Sequence, residues 1–486
     1  MTIKDLKPAE VFGIFDQITK VPRPSKKEGK IRQFLLDFAG KHGIAVKTDA
    51  IGNVLMSKPA TPGHEQAPGI ILQAHMDMVC ESNDKSFDFE NNPIITIVDG
   101  EWLHADGTTL GADNGIGIAG ALAAFTDEKL VHGPMEALFT VDEETGLTGA
   151  YNLGDDMIHG SILLNLDSED DAQIFVGCAG GVDTTCVFKY KRSFAPTDFH
   201  YFKFDISKGL GGHSGGDIHL GRANAVQLLA RFLWTLGKEY ELSLCEIDGG
   251  NLRNAIPRAA HAVFGVNTAN KEKVVAAFNC YVADVKNEYK DLEPTIEFTL
   301  DSVDRPDMAV DEDTTRRLVD ALYSAPHGVI SMSRDIEGLV ETSTNLASVK
   351  MRPDEEILVT TSQRSSVESR KWDIAHRVEA VFTLAGAAVT HGDGYPGWAP
   401  NLNSRIMKIA SDAYEELYGI KPAVMAIHAG LECGLFLQKY PHLDMASFGP
   451  TLQGVHSPSE RMNIPAVERF WGQLRRTIEK VADLKD

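Results

Sequence analysis

Apolar positions near the start recur at helical spacing. Val11, Ile14, Phe15 and Ile18 predict one helix, and Ile31, Phe34, Leu35 and Phe38 predict a second. Pro22-Arg23-Pro24-Ser25 breaks the chain between them, with Ser25 and Glu28 spaced as a capping box for the second helix. Gly40 or Gly43 ends that helix, and a short strand pair follows around residues 44–56. The pattern then changes. Short apolar runs at 69–74 (GIILQA), 136–141 (EALFTV) and 161–166 (SILLNL) read as buried strands. The Ala- and Ile-rich run at 115–125 reads as a buried helix. Strands alternating with helices predict an open α/β sheet, whose site belongs at the strand C-termini.

From about residue 187 the strands alternate, as in 201–206 (YFKFDI), which predicts half-exposed antiparallel strands. Helical spacing at 223–236 and further strands at 296–300 and 356–361 predict a second domain built of strand-and-helix units. The Gly- and Pro-rich stretch 391–400 (HGDGYPGWAP) reads as a linker, after which the first pattern resumes. The expectation is a discontinuous α/β domain, 1–186 plus 397–486, interrupted by an inserted α+β domain, 187–396.

Composition narrows this little. The 486 residues exceed one compact core, and 43% hydrophobic with 24% charged residues is ordinary for a globular chain. A net charge of −22 disfavours nucleic acid or an anionic membrane as partner. The N-terminal stretch lacks the pattern of a secretory signal, and no apolar run is long enough to span a bilayer, so a cytoplasmic protein is expected. Six scattered cysteines form no Cys-x-x-Cys pair. A metal would therefore be held by His, Asp and Glu.

Such residues stand where the pattern places a site. His75, Glu144 and Asp167 follow predicted strands, Asp113 precedes the buried helix, and His456 lies far downstream. Singly, each has an ordinary structural reading. A strand-end His is usually hydrogen-bonded, an Asp before a helix is an N-cap, and Glu143-Glu144 is a solvated turn. Their common location at strand ends changes that. Two divalent cations need imidazole and carboxylate ligands converging from several strands, and a carboxylate shared between them offsets their repulsion. Such a pair would polarise a carbonyl and lower the pKa of a water. Asp77 shares a strand face with His75 and can orient its ring. Of the adjacent pair Glu143 and Glu144, one can bind metal while the other acts as base.

Four strings, His75-Met76-Asp77, Gly111-Ala112-Asp113-Asn114-Gly115, Asp142-Glu143-Glu144-Thr145-Gly146 and Asn165-Leu166-Asp167-Ser168-Glu169, together resemble the di-zinc exopeptidases of the aminoacylase and carboxypeptidase clan. Within that clan the whole chain is most similar to the aminoacyl-histidine dipeptidase (Xaa-His dipeptidase, peptidase D) family. The resemblance implies that Asp113 bridges two metals, that His75 and Asp167 complete one site, and that Glu144 and His456 complete the other. It implies Glu143 as general base, Asp77 as the orienter of His75, and a cis bond at Asp113–Asn114. The inserted domain then resembles a lid. His213, in Gly212-His213-Ser214-Gly215, would stabilise the oxyanion, while Asn254 and Arg364 would bind the substrate carboxylate. The implied activity is metal-dependent hydrolysis of dipeptides, Xaa-His dipeptides such as β-alanyl-histidine included. Zinc is the expected metal, with manganese or cobalt also suited. A homodimer is implied, with His213 acting in cis or across the dimer. Two other readings stay open: an amidohydrolase of N-acylated amino acids on the same metal site, and a non-catalytic metal- or peptide-binding protein.

Overall fold

The structure, a computed structural model, describes residues 2–484. It is a mixed α/β fold with several sheets and eleven α-helices among the described residues. The chain divides into two compact units. The first comprises 1–177, 400–426 and 431–486, and the second 178–399 and 427–430.

The first unit is built on an eight-stranded sheet. Its centre is parallel: Met135–Thr140 beside Ile70–His75, then Ile162–Asn165, then Asp444–Ser447. Every residue of the first three of these strands is buried, as their unbroken apolar runs require. The hairpin Ala45–Thr48/Val54–Lys58 extends one side in antiparallel fashion. The first two helices form as Ala9–Ile18 and Gly29–His42, and Gly43 ends the second with φ +64°. The helix Ala112–Thr126 is buried almost throughout, with non-helical backbone at Asp113 and Asn114 and a cis peptide bond between them.

The capping box expected at Ser25 and Glu28 does not form: the helix begins at Gly29 with Glu28 itself at the N-cap, and both side chains are engaged elsewhere. The Ser25 hydroxyl donates to Asp77 Oδ2 at 2.8 Å. Glu28 Oε1 accepts from the backbone N–H of Lys26 and of Asp142, at 2.7 and 3.1 Å.

A small four-stranded sheet escaped the sequence reading. It pairs Thr96–Asp99 with Trp102–Ala105, then Arg461–Asn463, then Leu452–Gln453. These strands are too short to show a period. They matter because the turn between the last two carries His456 and Glu460 back to the start of the Asp113 helix.

The second unit is built on a nine-stranded sheet, antiparallel in every pairing among the described residues. In Phe199–Ser207 the alternation holds, with Phe202, Phe204 and Ile206 buried. They pack with helices Ala225–Gly237, Lys271–Glu288, Glu312–Ser324 and Glu368–Leu384 in one core. Phe204, Phe232, Phe278 and Tyr281 meet there edge to face or tilted, at 4.9–6.4 Å between centroids.

The stretch 391–400 is pinned rather than a free linker. Tyr395 exchanges backbone hydrogen bonds with Gly181, and Trp398 with Cys178. A Cβ on Gly394 would come within 2.6 Å of the Gly181 carbonyl oxygen. Close backbone approach accounts for a glycine there.

Candidate metal centre

His75 ends its strand, and the turns after the two neighbouring parallel strands carry Glu143-Glu144 and Asp167, so all four side chains collect at one carboxyl edge. Asp113 lies between two imidazoles. His75 Nε2 is 3.0 Å from Asp113 Oδ1 and 3.3 Å from Asp167 Oδ1. His456 Nε2 is 3.1 Å from Asp113 Oδ2 and 3.0 Å from Glu144 Oε2. The result is two sets of donors, His75 with Asp167 and His456 with Glu144, each facing a different oxygen of Asp113.

Charge supports the same reading. Six carboxylates (Asp113, Glu143, Glu144, Asp167, Glu169 and Glu432) surround two imidazoles. Burial and neighbouring anions raise Glu169 to about 8 and Glu432 to about 8. Burial likewise raises Asp167, to about 6, against the pull of His75. Burial also pushes Glu143 well above the ordinary carboxylate range. Asp113 is equally buried, but hydrogen bonds from both imidazoles hold it low. His456 is raised to about 11 by its hydrogen bonds to Asp113 and Glu144. Glu144 Oε1 is buried without a hydrogen-bond partner. An excess of buried anionic oxygens, two of them (Glu144 Oε1 and Glu432 Oε1) unpartnered among the described residues, fits divalent cations.

Three buried residues hold the loops that carry these groups. Asp77 is fully buried and accepts from the backbone N–H of Glu143 and Glu144, at 3.0 and 3.2 Å, as well as from Ser25. Its Oδ1 also lies 3.3 Å from His75 Nδ1, within ion-pair distance but without hydrogen-bond alignment. Burial opposes its ionisation, yet His75 and these donors bring it down to about 2. Asp77 thus ties the His75 strand to the Glu143-Glu144 turn, a contact its spacing from His75 did not reveal.

The other two were missed. Glu460 accepts from four successive backbone N–H groups, those of Leu110, Gly111, Ala112 and Asp113, at 2.7–3.4 Å. Arg23 donates to the carbonyls of Met76, Asp77 and Gly111. Gly111 has φ +68°, and a Cβ there would strike the Arg23 guanidinium and the Met78 sulfur. The Pro-Arg-Pro-Ser string was a visible clue only to a turn. Glu432 is a further buried carboxylate at this edge. It is fully buried and accepts from Gln73 Nε2 at 2.6 Å and Thr140 Oγ1 at 2.8 Å, beneath the strand ends.

His213, Asn254 and Arg364 lie in the second unit. The strand Gly212–His213 pairs with Ala255–Ile256, and the Asn254 carbonyl accepts from Ser214 N–H at 2.8 Å. His213 Nδ1 accepts from the backbone N–H of Gly215 and Gly216, at 3.2 and 3.0 Å. Its proton therefore sits on Nε2, and burial with the nearby Arg364 charge lowers its pKa. Gly215 is required by close approach, since a Cβ would meet the His428 carbonyl oxygen at 2.3 Å. Arg364 is buried on the strand Glu356–Ser365, donates to Tyr395 Oη at 3.1 Å, and keeps Nε without a partner. It is not a surface salt-bridge residue.

A parallel sheet delivering two imidazoles and several carboxylates around one shared carboxylate defines a metal-hydrolase type of site. The chain belongs to peptidase family M20/M25/M40, whose model matches residues 71–480. It is 40% identical to the cytosol non-specific dipeptidase of Escherichia coli (strain K12) over 480 residues, 99% of each chain. Among solved structures it matches the aminoacylhistidine dipeptidase from Vibrio alginolyticus at 42% identity and a TM-score of 0.91, covering 99% of this chain and 98% of that one. A tripeptidase from Staphylococcus aureus shares the fold at 17% identity and a TM-score of 0.63, over 99% of this chain and 100% of that one.

Proposed function

We propose that this protein is a metal-dependent dipeptidase of the cytoplasm, with Xaa-His dipeptides such as β-alanyl-histidine among its substrates. The observation that carries the reading is Asp113 set between the His75–Asp167 and His456–Glu144 pairs. The names of the two full-length relatives support the dipeptide class. Those five residues would hold two divalent cations, zinc by the chemistry of the donors, with Asp113 shared. When bound, the cations supply Lewis acidity that polarises a peptide carbonyl and eases ionisation of a water.

Glu143 acts as general base. Its burial favours the protonated carboxyl, as suits a group that accepts a proton, and Asp77 fixes its backbone. It takes the proton of the attacking water and returns it to the leaving amine. His213 donates its Nε2–H to the oxygen that becomes negative as the carbonyl carbon turns tetrahedral. The backbone hydrogen bonds to its Nδ1 support that role by keeping the ring a neutral donor. Arg364, with an unpartnered Nε, and Asn254 bind the substrate carboxylate. We further infer a homodimer.

A hydrolysis panel with and without chelator tests the reading. It compares β-alanyl-histidine, ordinary dipeptides, a tripeptide and an N-acetyl amino acid. Cleavage of free dipeptides, lost on chelation and restored by zinc, is expected. Turnover of the N-acetyl amino acid alone would assign the chain to amidohydrolysis. No turnover of any free dipeptide after metal reloading would overturn the proposal.

A further inference from the structure

We propose a separate zinc-type cation site in the second unit, formed by His376, Glu379 and His391. His376 and Glu379 stand three residues apart on the helix Glu368–Leu384, so they share a face. His391 ends the strand Ala388–His391, at the edge of the nine-stranded sheet. One ligand atom from each lies within 4.8 Å of the other two. His391 Nε2 is 3.2 Å from Glu379 Oε2. Two ligand atoms on a tetrahedral zinc with bonds of about 2.0–2.2 Å stand roughly 3.4 Å apart, so this pair already has the required bite.

The hydrogen bonds behind His391 make the case stronger than proximity does. The Gln363 amide nitrogen donates to Thr344 Oγ1 and Thr361 Oγ1, at 3.1 and 2.7 Å, which leaves its oxygen as the acceptor. That oxygen takes the single hydroxyl proton of Thr184, at 2.7 Å. Thr184 Oγ1 is 2.9 Å from His391 Nδ1, and with its proton committed it can only accept there. The proton of a neutral His391 ring is therefore on Nδ1, and the Nε2 lone pair points at the Glu379 carboxylate. A lone pair facing a carboxylate is repulsive unless a proton or a metal cation stands between them. An imidazole whose far nitrogen donates to a fixed acceptor is the usual arrangement of a metal-binding histidine.

The surroundings leave the position to an outside cation. Arg377 pairs with Asp373 at 2.8 Å and Lys371 with Glu368 at 2.9 Å. Trp372, held by Glu368 through its indole N–H, lies 5.8–5.9 Å from both imidazole rings and closes one side. Two imidazoles and one carboxylate, completed by water, suit zinc above calcium or magnesium. A cation here would staple the helix to the edge strand.

The test counts zinc on the full-length protein across a buffered free-zinc series, for wild type, His376→Ala and Glu379→Gln. His376 is exposed and Glu379 half-exposed, so both variants fold. Wild type should take up one zinc per chain more than either variant, or bind that ion about tenfold or more tightly. The difference between proteins is read, so the result does not depend on occupancy of the Asp113 centre. At saturating zinc wild type should also melt above His376→Ala, and in chelator the two melting points should coincide. Equal zinc counts and affinities in all three proteins would overturn the proposal and leave His391 and Glu379 an imidazolium–carboxylate pair.

Discussion

Glu143 and Glu144 are neighbours with different surroundings. Glu144 Oε2 meets His456, whereas Glu143 is buried among anions and has no recorded ion pair among the described residues. Glu143→Gln should therefore lower kcat by about 10²–10⁴-fold while metal content, measured by atomic emission, stays near wild type. His456→Ala should do the reverse and lose metal first. Near-normal turnover in metal-replete Glu143→Gln would remove it as the base. Glu460 contributes through four backbone amides. Glu460→Gln turns an amide NH₂ toward those N–H groups. Chemical denaturation should show a loss of about 1–3 kcal/mol, accompanied by weaker metal retention. A variant as stable as wild type would show that the loop before Asp113 holds its shape unaided. These residue roles were unequally legible. Strand ends pointed to His75, Glu144 and Asp167, but nothing near Glu460 in sequence hints that its partners lie some 350 positions away.

At the scale of elements, helix Ala225–Gly237 illustrates how local and tertiary signals combine. Its N-cap Asn224 accepts from Val226 and Gln227 N–H, as its residue type predicts. The Asn224 amide also meets His327 Nδ1 at 3.3 Å, and Leu346 N–H donates to the same nitrogen. Burial lowers His327 to about 4. An unfolded histidine titrates near 6.5, so between these values the unfolded chain binds more protons than the folded one. Stability is therefore full above about pH 6.5 and falls as pH drops toward 4, by up to about 3 kcal/mol from this group. His428, lowered to about 3 by burial, adds in the same direction. Urea titrations at stepped pH should show this slope, and His327→Gln should flatten it. An unchanged slope in that variant would assign the acid sensitivity elsewhere. The four-stranded sheet teaches the opposite lesson about elements. Its strands of two to four residues carry no periodic signal, and only pairing makes them strands.

For the whole molecule, metal and stability should be linked. The anionic oxygens at the sheet edge repel one another, and cations that bind only the folded state stabilise it by mass action. Chelation should abolish dipeptide cleavage and lower Tm, and zinc should restore both. A chelator-treated protein with unchanged Tm would mean that the cluster is stable without compensation. The net charge of −22 is consistent with this concentration of carboxylates but does not locate it. Nothing in the residue pattern marks Ile427–Gly430 as part of the second unit, yet those four residues pack there.

Sequence alone determined the elements with strong periods: the buried parallel strands, the apolar helix after Asp113 and the alternating strands of the second unit. Burial of a continuous face forces such patterns, so they are written locally. It also placed His75, Glu144 and Asp167 at strand ends, because side-chain type and strand boundary are both local facts. Only the tertiary structure decided that Asp113 lies between two imidazoles, that Asp77 and Glu460 hold the loops around it, and that His391 faces Glu379. Those arrangements depend on pairing distant segments, and the geometry of such pairs is set by how the sheets close rather than by any residue's neighbours in the chain.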